Sequence, residues 1–73
     1  MKTDGWEDHE SSHIVRSKYN SMDRTLDIEY KNGSVYRSHG VPPSEHQSFL
    51  SAKSQGEYHA ANLKENYHVE RIK

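Results

Sequence analysis

Apolar and polar side chains alternate most strictly between positions 25 and 31. The apolar positions are Leu26, Ile28 and Tyr30, and a charged residue follows each of them. A period of two is that of a strand with one face in a core and the other in water. The pattern therefore predicts a half-buried β-strand in this segment.

A second alternation precedes this one. Val15, Ser17 and Tyr19 alternate with Arg16 and Lys18, which predicts a first strand beginning near position 14. The segment from 20 to 24 (Asn-Ser-Met-Asp-Arg) is typical of a turn and connects the two strands.

The segment 31–34 (Lys-Asn-Gly-Ser) favours a hairpin turn, and the length of the turn sets the register of the next strand. A two-residue loop would place Arg37 on the apolar face. A three-residue loop, with Gly33 in the left-handed region, sets Tyr36 opposite Ile28 and turns Arg37 outward. We expect the three-residue loop, because burying Tyr36 costs far less than burying Arg37.

Two short helices are predicted after the third strand, which runs from 34 to about 39. The segment 40–43 (Gly-Val-Pro-Pro) ends that strand, since proline cannot donate to a ladder but suits the first turn of a helix. A first helix is expected over 44–52, and the capping box at 54–57 (Ser-Gln-Gly-Glu) begins a second. The residues at helical spacing on these helices are His46, Phe49, Leu50, Lys53, His59 and Leu63.

These elements predict an α+β fold, in which a three-stranded antiparallel meander (β-β-β) is followed by two short helices packed on one face. The chain divides into a flexible acidic arm (1–11), a folded domain (12–67) and a short polar tail (68–73). The pattern of the tail fits either a further strand or a disordered end. The inner face of the sheet is expected to hold Val15, Tyr19, Leu26, Ile28, Tyr30 and Tyr36, closed by Phe49, Leu50 and Leu63.

Composition limits the classes of protein to which so short a chain can belong. Its 73 residues make one domain, and a domain of this size buries only roughly 60% of its unfolded surface, so the core is thin. The absence of cysteine excludes disulfides and thiolate metal sites. No apolar run approaches the ~18 residues of a membrane span, and the first residues lack the apolar segment of a secretory signal. We expect a cytoplasmic protein without membrane contact.

Short patterns occur in a fixed order along positions 12–67. They are Ser12, Ile14, Tyr19, Thr25-Leu26-x-Ile28-x-Tyr30, Gly33, Val35-Tyr36, Gly40-Val41-Pro42-Pro43, Leu50, Ala52, Ser54-x-Gly56-x-Tyr58, Leu63 and Tyr67. In this order and spacing they resemble the KTSC domain, a module named after the C-terminus of some lysyl-tRNA synthetases. The module also occurs as stand-alone bacterial and phage proteins. The resemblance implies a family of unestablished function, for which the link to a synthetase suggests RNA contact.

The chain departs from that family pattern at three positions. A central Tyr-x-Tyr is here Tyr36-Arg37-Ser38, and His46 and His59 stand where aromatic residues are expected. Six histidines would move the formal charge from −1 to about +5 if all of them titrated near pH 6.5. Only His46 and His59 fall on predicted packing surfaces, so we expect the core to loosen as the pH falls below ~6.

The segment 9–13 spells His-Glu-x-x-His, a pattern that binds zinc when it lies on a helix. Here it lies in a polar segment directly before a strand, and its two serines are poor helix formers. We expect no metal site, no cofactor and no catalytic arrangement. The chain is therefore predicted not to be an enzyme.

The KTSC resemblance instead implies contact with RNA or an RNA-containing complex, for which basic and aromatic residues would form the surface. On the outer face of the sheet, Asp27 and Glu29 lie between the bases of the neighbouring strands, so we expect lateral charge pairing there. A formal charge of −1 argues against tight non-specific binding. The predicted contact residues for RNA or another partner are Tyr36, Arg37, Lys64, Tyr67, His68, Arg71 and Lys73.

A protein partner is the alternative function. A small phage- or prophage-type module that modulates a host factor would use the acidic arm and an exposed Val35 on the outer face. RNA binding and protein contact differ in their salt dependence, since only RNA binding releases many counterions. Both functions remain open at this point.

Overall fold

The fold is organised around one antiparallel sheet. The computed structural model describes residues 5–73, and positions 1–4 of the predicted arm lie outside the described residues. Within the described range, five strands follow one another across the sheet in chain order. Their bounds are β1 Glu7–Asp8, β2 Ile14–Asn20, β3 Thr25–Tyr30, β4 Val35–His39 and β5 His68–Arg71.

Two helical segments connect β4 to β5. The first is α1, Pro43–Ser51. The second is irregular, since it consists of α2 (Gln55–Tyr58), a π-helical turn (His59–Leu63) and α3 (Lys64–Asn66). Along 5–73, no helix is long and apolar enough to cross a membrane. The predicted α+β class is confirmed.

The predicted number of three strands is wrong, because both ends of the described chain add a strand. In β1, Glu7 lies opposite Ser17 and Asp8 lies opposite Arg16. At the other edge, β5 pairs antiparallel with β4. Edge strands are short and charged in many proteins and need not bury an apolar face. Periodicity therefore reveals neither β1 nor β5.

The register of the β3–β4 hairpin agrees with the prediction. Ile28 lies opposite Tyr36, and the Gly33 N–H donates to the Tyr30 carbonyl at 2.9 Å across a three-residue loop. Gly33 has a φ of 91°, in the region that favours glycine. The three-residue loop is confirmed, and with it the inward position of Tyr36 and the outward position of Arg37.

One predicted core position is wrong. The pairing of β2 with β3 shifts between Ile14 and Arg16, so Val15 is the extra residue of a β-bulge. Val15 is 36% exposed, and Ile14 is fully buried in its place. A bulge moves one residue out of the alternation without changing the amino-acid pattern. Spacing alone therefore does not show whether Ile14 or Val15 faces the core.

The expected exposure of Val35 is also wrong, because Val35 is only 6% exposed. The Ile72 N–H donates to the Val35 carbonyl at 2.8 Å, and the Val35 N–H donates to the Lys73 carbonyl at 3.1 Å. These bonds continue the pairing of β4 with β5 and set Ile72 beside Val35 on the outer face. Ile72, which follows β5, therefore lies against Val35, which was predicted to be exposed.

The core lies between the inner face of the sheet and the two helical segments. The half-buried side chains around it are mostly tyrosines, whose rings add apolar area while their hydroxyls reach polar partners. Its fully buried members are Ile14, Leu26, Ile28, Val41, Phe49 and Leu63, and Tyr19, Tyr30, Leu50, Tyr58 and Tyr67 pack against them.

Both predicted helix starts are present. Pro42 is the N-cap of α1 and Pro43 is its first helical residue, where a missing N–H costs nothing. At the second start, the Ser54 Oγ accepts a hydrogen bond from the Glu57 N–H at 3.3 Å. The serine of the predicted capping box therefore caps α2.

Two buried serines on the sheet provide a test of this packing. Ser38 is fully buried and its hydroxyl has no partner along 5–73, whereas the Ser17 Oγ lies 2.6 Å from His9 Nε2. A buried hydroxyl without a partner costs free energy that a methyl group does not. We expect Ser38→Ala to keep or raise the free energy of unfolding and Ser17→Ala to lower it by about 1 kcal/mol. Urea unfolding of both variants measures the difference, and a clear loss of stability in Ser38→Ala would contradict this account.

Candidate functional site

Charged side chains on the outer face are paired across neighbouring strands. The Arg16 Nε donates to Glu29 Oε1 at 2.5 Å, and Arg37 donates to both carboxylate oxygens of Asp27 at 2.8 and 3.0 Å. The Trp6 ring covers the Arg16 guanidinium at 4.5 Å. The predicted lateral pairing is confirmed for these residues. Arg37, one of the predicted contact residues, therefore has its guanidinium engaged within the sheet.

Tyr67 also makes its polar contact inside the fold. Its hydroxyl donates to Glu45 Oε1 at 3.0 Å, and the Tyr58 hydroxyl donates to the other oxygen of the same carboxylate. Burial and the bond to Glu45 raise the pKa of Tyr67, and the bond to Glu45 raises the pKa of Tyr58. Glu45 thus joins α1 to the second helical segment through two tyrosines.

His68 and Lys73 lie apart from each other at the β5 edge. His68 is opposite His39 on the outer face of the sheet, which is the face away from Tyr36. Lys73 follows β5, and its backbone carbonyl accepts hydrogen bonds from the Val35 N–H and from the Arg71 Nε at 3.1 and 3.0 Å. His68 and Lys73 therefore do not form one surface with the other predicted contact residues.

Three of the predicted contact residues do come together, on the inner face near the start of β4. We call Tyr36, Lys64 and Arg71 the Tyr36 cluster. The Lys64 Nζ lies 5.0 Å from the centroid of the Tyr36 ring, within the range of a cation–π interaction. Arg71 lies opposite Tyr36 in the β4–β5 ladder, so both side chains leave the same face. Along 5–73, neither cation is paired with an Asp or Glu side chain, and the Arg71 Nε donates to the Lys73 carbonyl.

A groove of about 440 Å³ opens beside this cluster, between the β3–β4 turn and the second helical segment. We call it the hairpin groove. Among the residues that line the groove, only Tyr36 and Lys64 were predicted from the sequence as contacts. The others reach the groove through tertiary packing. The lining residues are His13, Tyr30, Asn32, Ser34, Tyr36, Gly56, Glu57, Ala60 and Lys64.

Gly56 allows the second helical segment to approach the chain before β2. A β-carbon on Gly56 would lie 3.2 Å from His13 Cδ2 and 3.3 Å from His13 Cβ. These distances are shorter than ordinary van der Waals contacts, so with a larger residue at this position the His13 side chain would have to shift by a few tenths of an ångström. The glycine therefore allows His13 to lie against the second helical segment at the edge of the hairpin groove.

His59 is the most strongly perturbed titratable group near the groove. It is fully buried, its Nδ1 is hydrogen-bonded to the Tyr30 hydroxyl, and its ring centroid lies 6.0 Å from that of Tyr36. Burial, with a smaller contribution from the positive charge of Lys64, lowers the pKa of His59 from 6.5 to about 4. The imidazole is therefore neutral at neutral pH. With Nδ1 as the acceptor from Tyr30, Nε2 holds the hydrogen, and it has no partner within 5–73.

His59 also begins the π-helical turn, which the Lys64 N–H closes by donating to the His59 carbonyl. Single π turns within helices occur frequently at functional sites. Nothing in the spacing of apolar residues distinguishes this turn from an ordinary helix. The sequence therefore predicts a helix here but not its irregular part.

His46 has a separate aromatic environment. Its ring stacks on Tyr19, with centroids 4.3 Å apart and planes inclined by 15°. Burial lowers the pKa of His46; the negative charge of Glu7 partly offsets this effect, and His9 adds to it. The prediction that both His46 and His59 lie on packing surfaces is confirmed, and each ring packs against its own tyrosine.

A larger cavity of about 560 Å³ lies between the segments 8–12 and 52–55. It has no aromatic lining, and His9 makes polar contacts with Ser17 at 2.6 Å and Gln55 at 3.4 Å. The segment 9–13 is not helical, and along 5–73 no group of three or more His, Asp or Glu is arranged to hold a metal ion. The hairpin groove, with its aromatic and cationic lining, is therefore the better candidate site.

Comparison with known proteins relates this fold to a family. The model of the KTSC domain matches positions 10–67 of the chain, which is most of its length. This chain belongs to the KTSC domain family. The crystal structure of a KTSC domain protein from Yersinia pestis is similar, with a TM-score of 0.82 and 30% sequence identity over 93% of this chain and 96% of that one. No curated protein matches the chain.

Membership confirms the KTSC resemblance that the sequence patterns indicated. The structural similarity covers more of the chain than the segment 10–67 matched by the family model, so it extends beyond the KTSC segment itself. His46 and His59 both lie inside that segment. Each makes ring contacts with a tyrosine, as an aromatic residue at the same position would.

Acid is expected to weaken this KTSC domain through its buried histidines. An unfolded histidine titrates near pH 6.5, whereas the pKa of folded His59 is about 4, so below pH 6.5 the unfolded chain binds a proton that the folded chain does not. The free energy of unfolding should fall between pH 6.5 and 4, by up to about 3 kcal/mol from His59. Burial also lowers the pKa of His46 and of His9, which adds to the loss. Urea unfolding at pH 7.5, 5.5 and 4.5 measures the effect.

A matched pair of variants assigns the effect to His59. His59→Phe keeps an aromatic ring but cannot titrate, so its stability should depend less steeply on pH. His13→Ala removes an exposed histidine and should keep the pH dependence of the wild type. A wild-type stability curve that is flat from pH 7.5 to 5.5 would refute the account.

Proposed function

We propose that this KTSC domain is a non-catalytic, cytoplasmic binding module that contacts single-stranded RNA through the Tyr36 cluster and the hairpin groove. The supporting observation is the position of Lys64, whose Nζ lies 5.0 Å from the Tyr36 ring centroid, with Arg71 opposite Tyr36 on the next strand. Proteins that bind single strands combine cations for the phosphates with aromatic faces for the bases.

The pairing of charges on the sheet supports this choice of face. Arg16 and Arg37 on the outer face are held by carboxylates, and binding a phosphate there would require breaking those bonds. Lys64 and Arg71 are exposed and, along 5–73, form no salt bridge with Asp or Glu. The Arg71 Nε donates to the Lys73 carbonyl, which leaves the terminal N–H groups of the guanidinium available. A phosphate therefore finds available cations at the Tyr36 cluster at a lower cost.

The hairpin groove offers both kinds of hydrogen-bonding group to a base. The Asn32 Oδ1 accepts from the Ser34 N–H at 2.9 Å and from the Ser34 hydroxyl at 2.6 Å, which leaves the Asn32 amide N–H groups as donors. Glu57, which also lines the groove, supplies an acceptor. The edges of unpaired bases present complementary donors and acceptors.

A protein partner is the competing function. One support for that function, an exposed Val35, is removed because Val35 is buried. A phage- or prophage-type interaction with a host factor would then depend on the acidic arm. Contact with a protein is one of the outcomes that the binding experiment distinguishes.

Titration of labelled single-stranded RNA, followed by fluorescence anisotropy, tests the proposal. Two phosphate contacts predict that the affinity falls with salt with a log–log slope of roughly −1.4. We expect Lys64→Glu and Arg71→Glu each to weaken binding by about tenfold, since each replaces an attraction by a repulsion. Tyr36→Leu should also weaken binding, by about tenfold, through the loss of a stacking face.

Lys53→Glu is the matched control, because it makes the same charge change at an exposed lysine outside the Tyr36 cluster and the hairpin groove. It should bind RNA nearly as the wild type does. Equal losses in Lys53→Glu and Lys64→Glu would show general electrostatic attraction and contradict the proposed surface. No RNA binding at low salt, together with a protein captured in a nuclease-treated pull-down, would replace the proposal with the competing function.

A further inference from the structure

Two histidines face each other across the β4–β5 ladder on the outer face of the sheet. His39 lies directly opposite His68, and their ring centroids are 5.4 Å apart with planes inclined by 34°. Each ring nitrogen lies about 1 Å from its ring centroid. Rotation of the rings can therefore bring one nitrogen of each to the separation that a shared metal ion requires, since Zn–N bonds are about 2.0–2.1 Å long.

Glu70, on the same face, orients one of the two rings. The His39 Nε2 lies 2.7 Å from Glu70 Oε1. A carboxylate only accepts hydrogen bonds, so Nε2 holds the hydrogen and the lone pair of His39 lies on Nδ1. Histidine ligands of metal ions commonly donate their other N–H to a carboxylate in this way, which fixes the ring and strengthens the ligand.

The ring nitrogens of this pair that face solvent are also accessible. His68 is exposed and His39 is partly exposed. Along 5–73, the His39 Nδ1 and both ring nitrogens of His68 have no hydrogen-bond partner. A cation approaching from solvent therefore displaces no protein hydrogen bond from these nitrogens.

We infer that His39 and His68 form a two-histidine site for a single divalent cation of the copper and zinc class, with Glu70 positioning His39. Imidazole nitrogens suit these ions and not magnesium or calcium. Along 5–73, no third protein ligand is arranged beside them, so water completes the coordination. The site lies on the face opposite the Tyr36 cluster, and its occupation is independent of RNA contact.

A bound ion would link the edge strand β5 to β4. Edge strands lack pairing on one side and open more readily than central strands. An additional bond between His39 and His68 should slow that opening. Metal binding is therefore expected to raise the hydrogen-exchange protection of the Glu70 amide, which faces β4 as the Ile72 amide does.

Titration of the full chain, prepared without a histidine tag, with Cu²⁺ or Zn²⁺ by calorimetry tests the site. We expect one ion per chain and tighter binding of Cu²⁺ than of Zn²⁺, following the usual order of these metals. His39→Ala and His68→Ala should each weaken binding at least about tenfold, and Glu70→Gln by about tenfold through the loss of the orienting carboxylate.

His13→Ala is the control for metal binding, because it removes an exposed histidine that lines the hairpin groove, away from His39 and His68. It should bind the metal as the wild type does, and substoichiometric Cu²⁺ should broaden the NMR signals of His39 and His68 before those of His13. Unchanged affinity in either His39→Ala or His68→Ala overturns the inference. An equal loss in His13→Ala also overturns it, since binding would then be a property of scattered surface histidines.

Discussion

The register between β3 and β4 determines which side of the sheet each important side chain occupies. The pairing of Ile28 with Tyr36 sends Tyr36 towards the helices and Arg37 towards solvent. A slip of one residue would exchange these faces. It would separate Tyr36 from Lys64 and Arg37 from Asp27 in a single step. The turn that contains Gly33 therefore supports both the aromatic cluster and the ion pairs on the opposite face.

Two of the rings that fill this thin core are imidazoles, those of His46 and His59. A neutral imidazole fills part of the space of a ring and can hydrogen-bond with a tyrosine hydroxyl, as His59 does with Tyr30. The cost is that the buried ring must stay uncharged, because burial penalises its protonated form. Among the residues that the structure describes, the Nε2 of His59 and the Nε2 of His46 also have no hydrogen-bond partner. The domain gains packing at two positions and accepts unsatisfied polar atoms there.

Local patterns predicted the parts of the fold in which local chemistry decides the structure. The strict alternation around Ile28, the turn at Gly33 and the serine cap at Ser54 each have a physical signature within a few residues. The bulge at Val15 and the burial of Val35 do not, because both depend on how distant strands pair. The strand β5 has no local signature either, because it is a polar edge strand.

The candidate site shows the same division between local and tertiary information. Lys64 and Tyr36 could be named from residue type, and the structure brings them together. Arg37 and Tyr67 have suitable side chains, but Asp27 and Glu45 engage them. His13, Asn32 and Glu57 join the hairpin groove only because the second helical segment folds against the turn. Residue type indicates which side chains could bind a partner, and tertiary pairing decides which of them remain available.

The lateral ion pairs of the outer face also affect what a distant molecule experiences. Arg37 and Asp27, 2.8 Å apart, act at long range as a dipole rather than as two charges, and the field of a dipole decays faster than that of a single charge. At physiological salt, screening over about 8 Å removes most of what is left. These ion pairs therefore exert little electrostatic force on an approaching molecule until the two surfaces touch. Long-range attraction or repulsion must come from charges that have no neighbour of opposite sign.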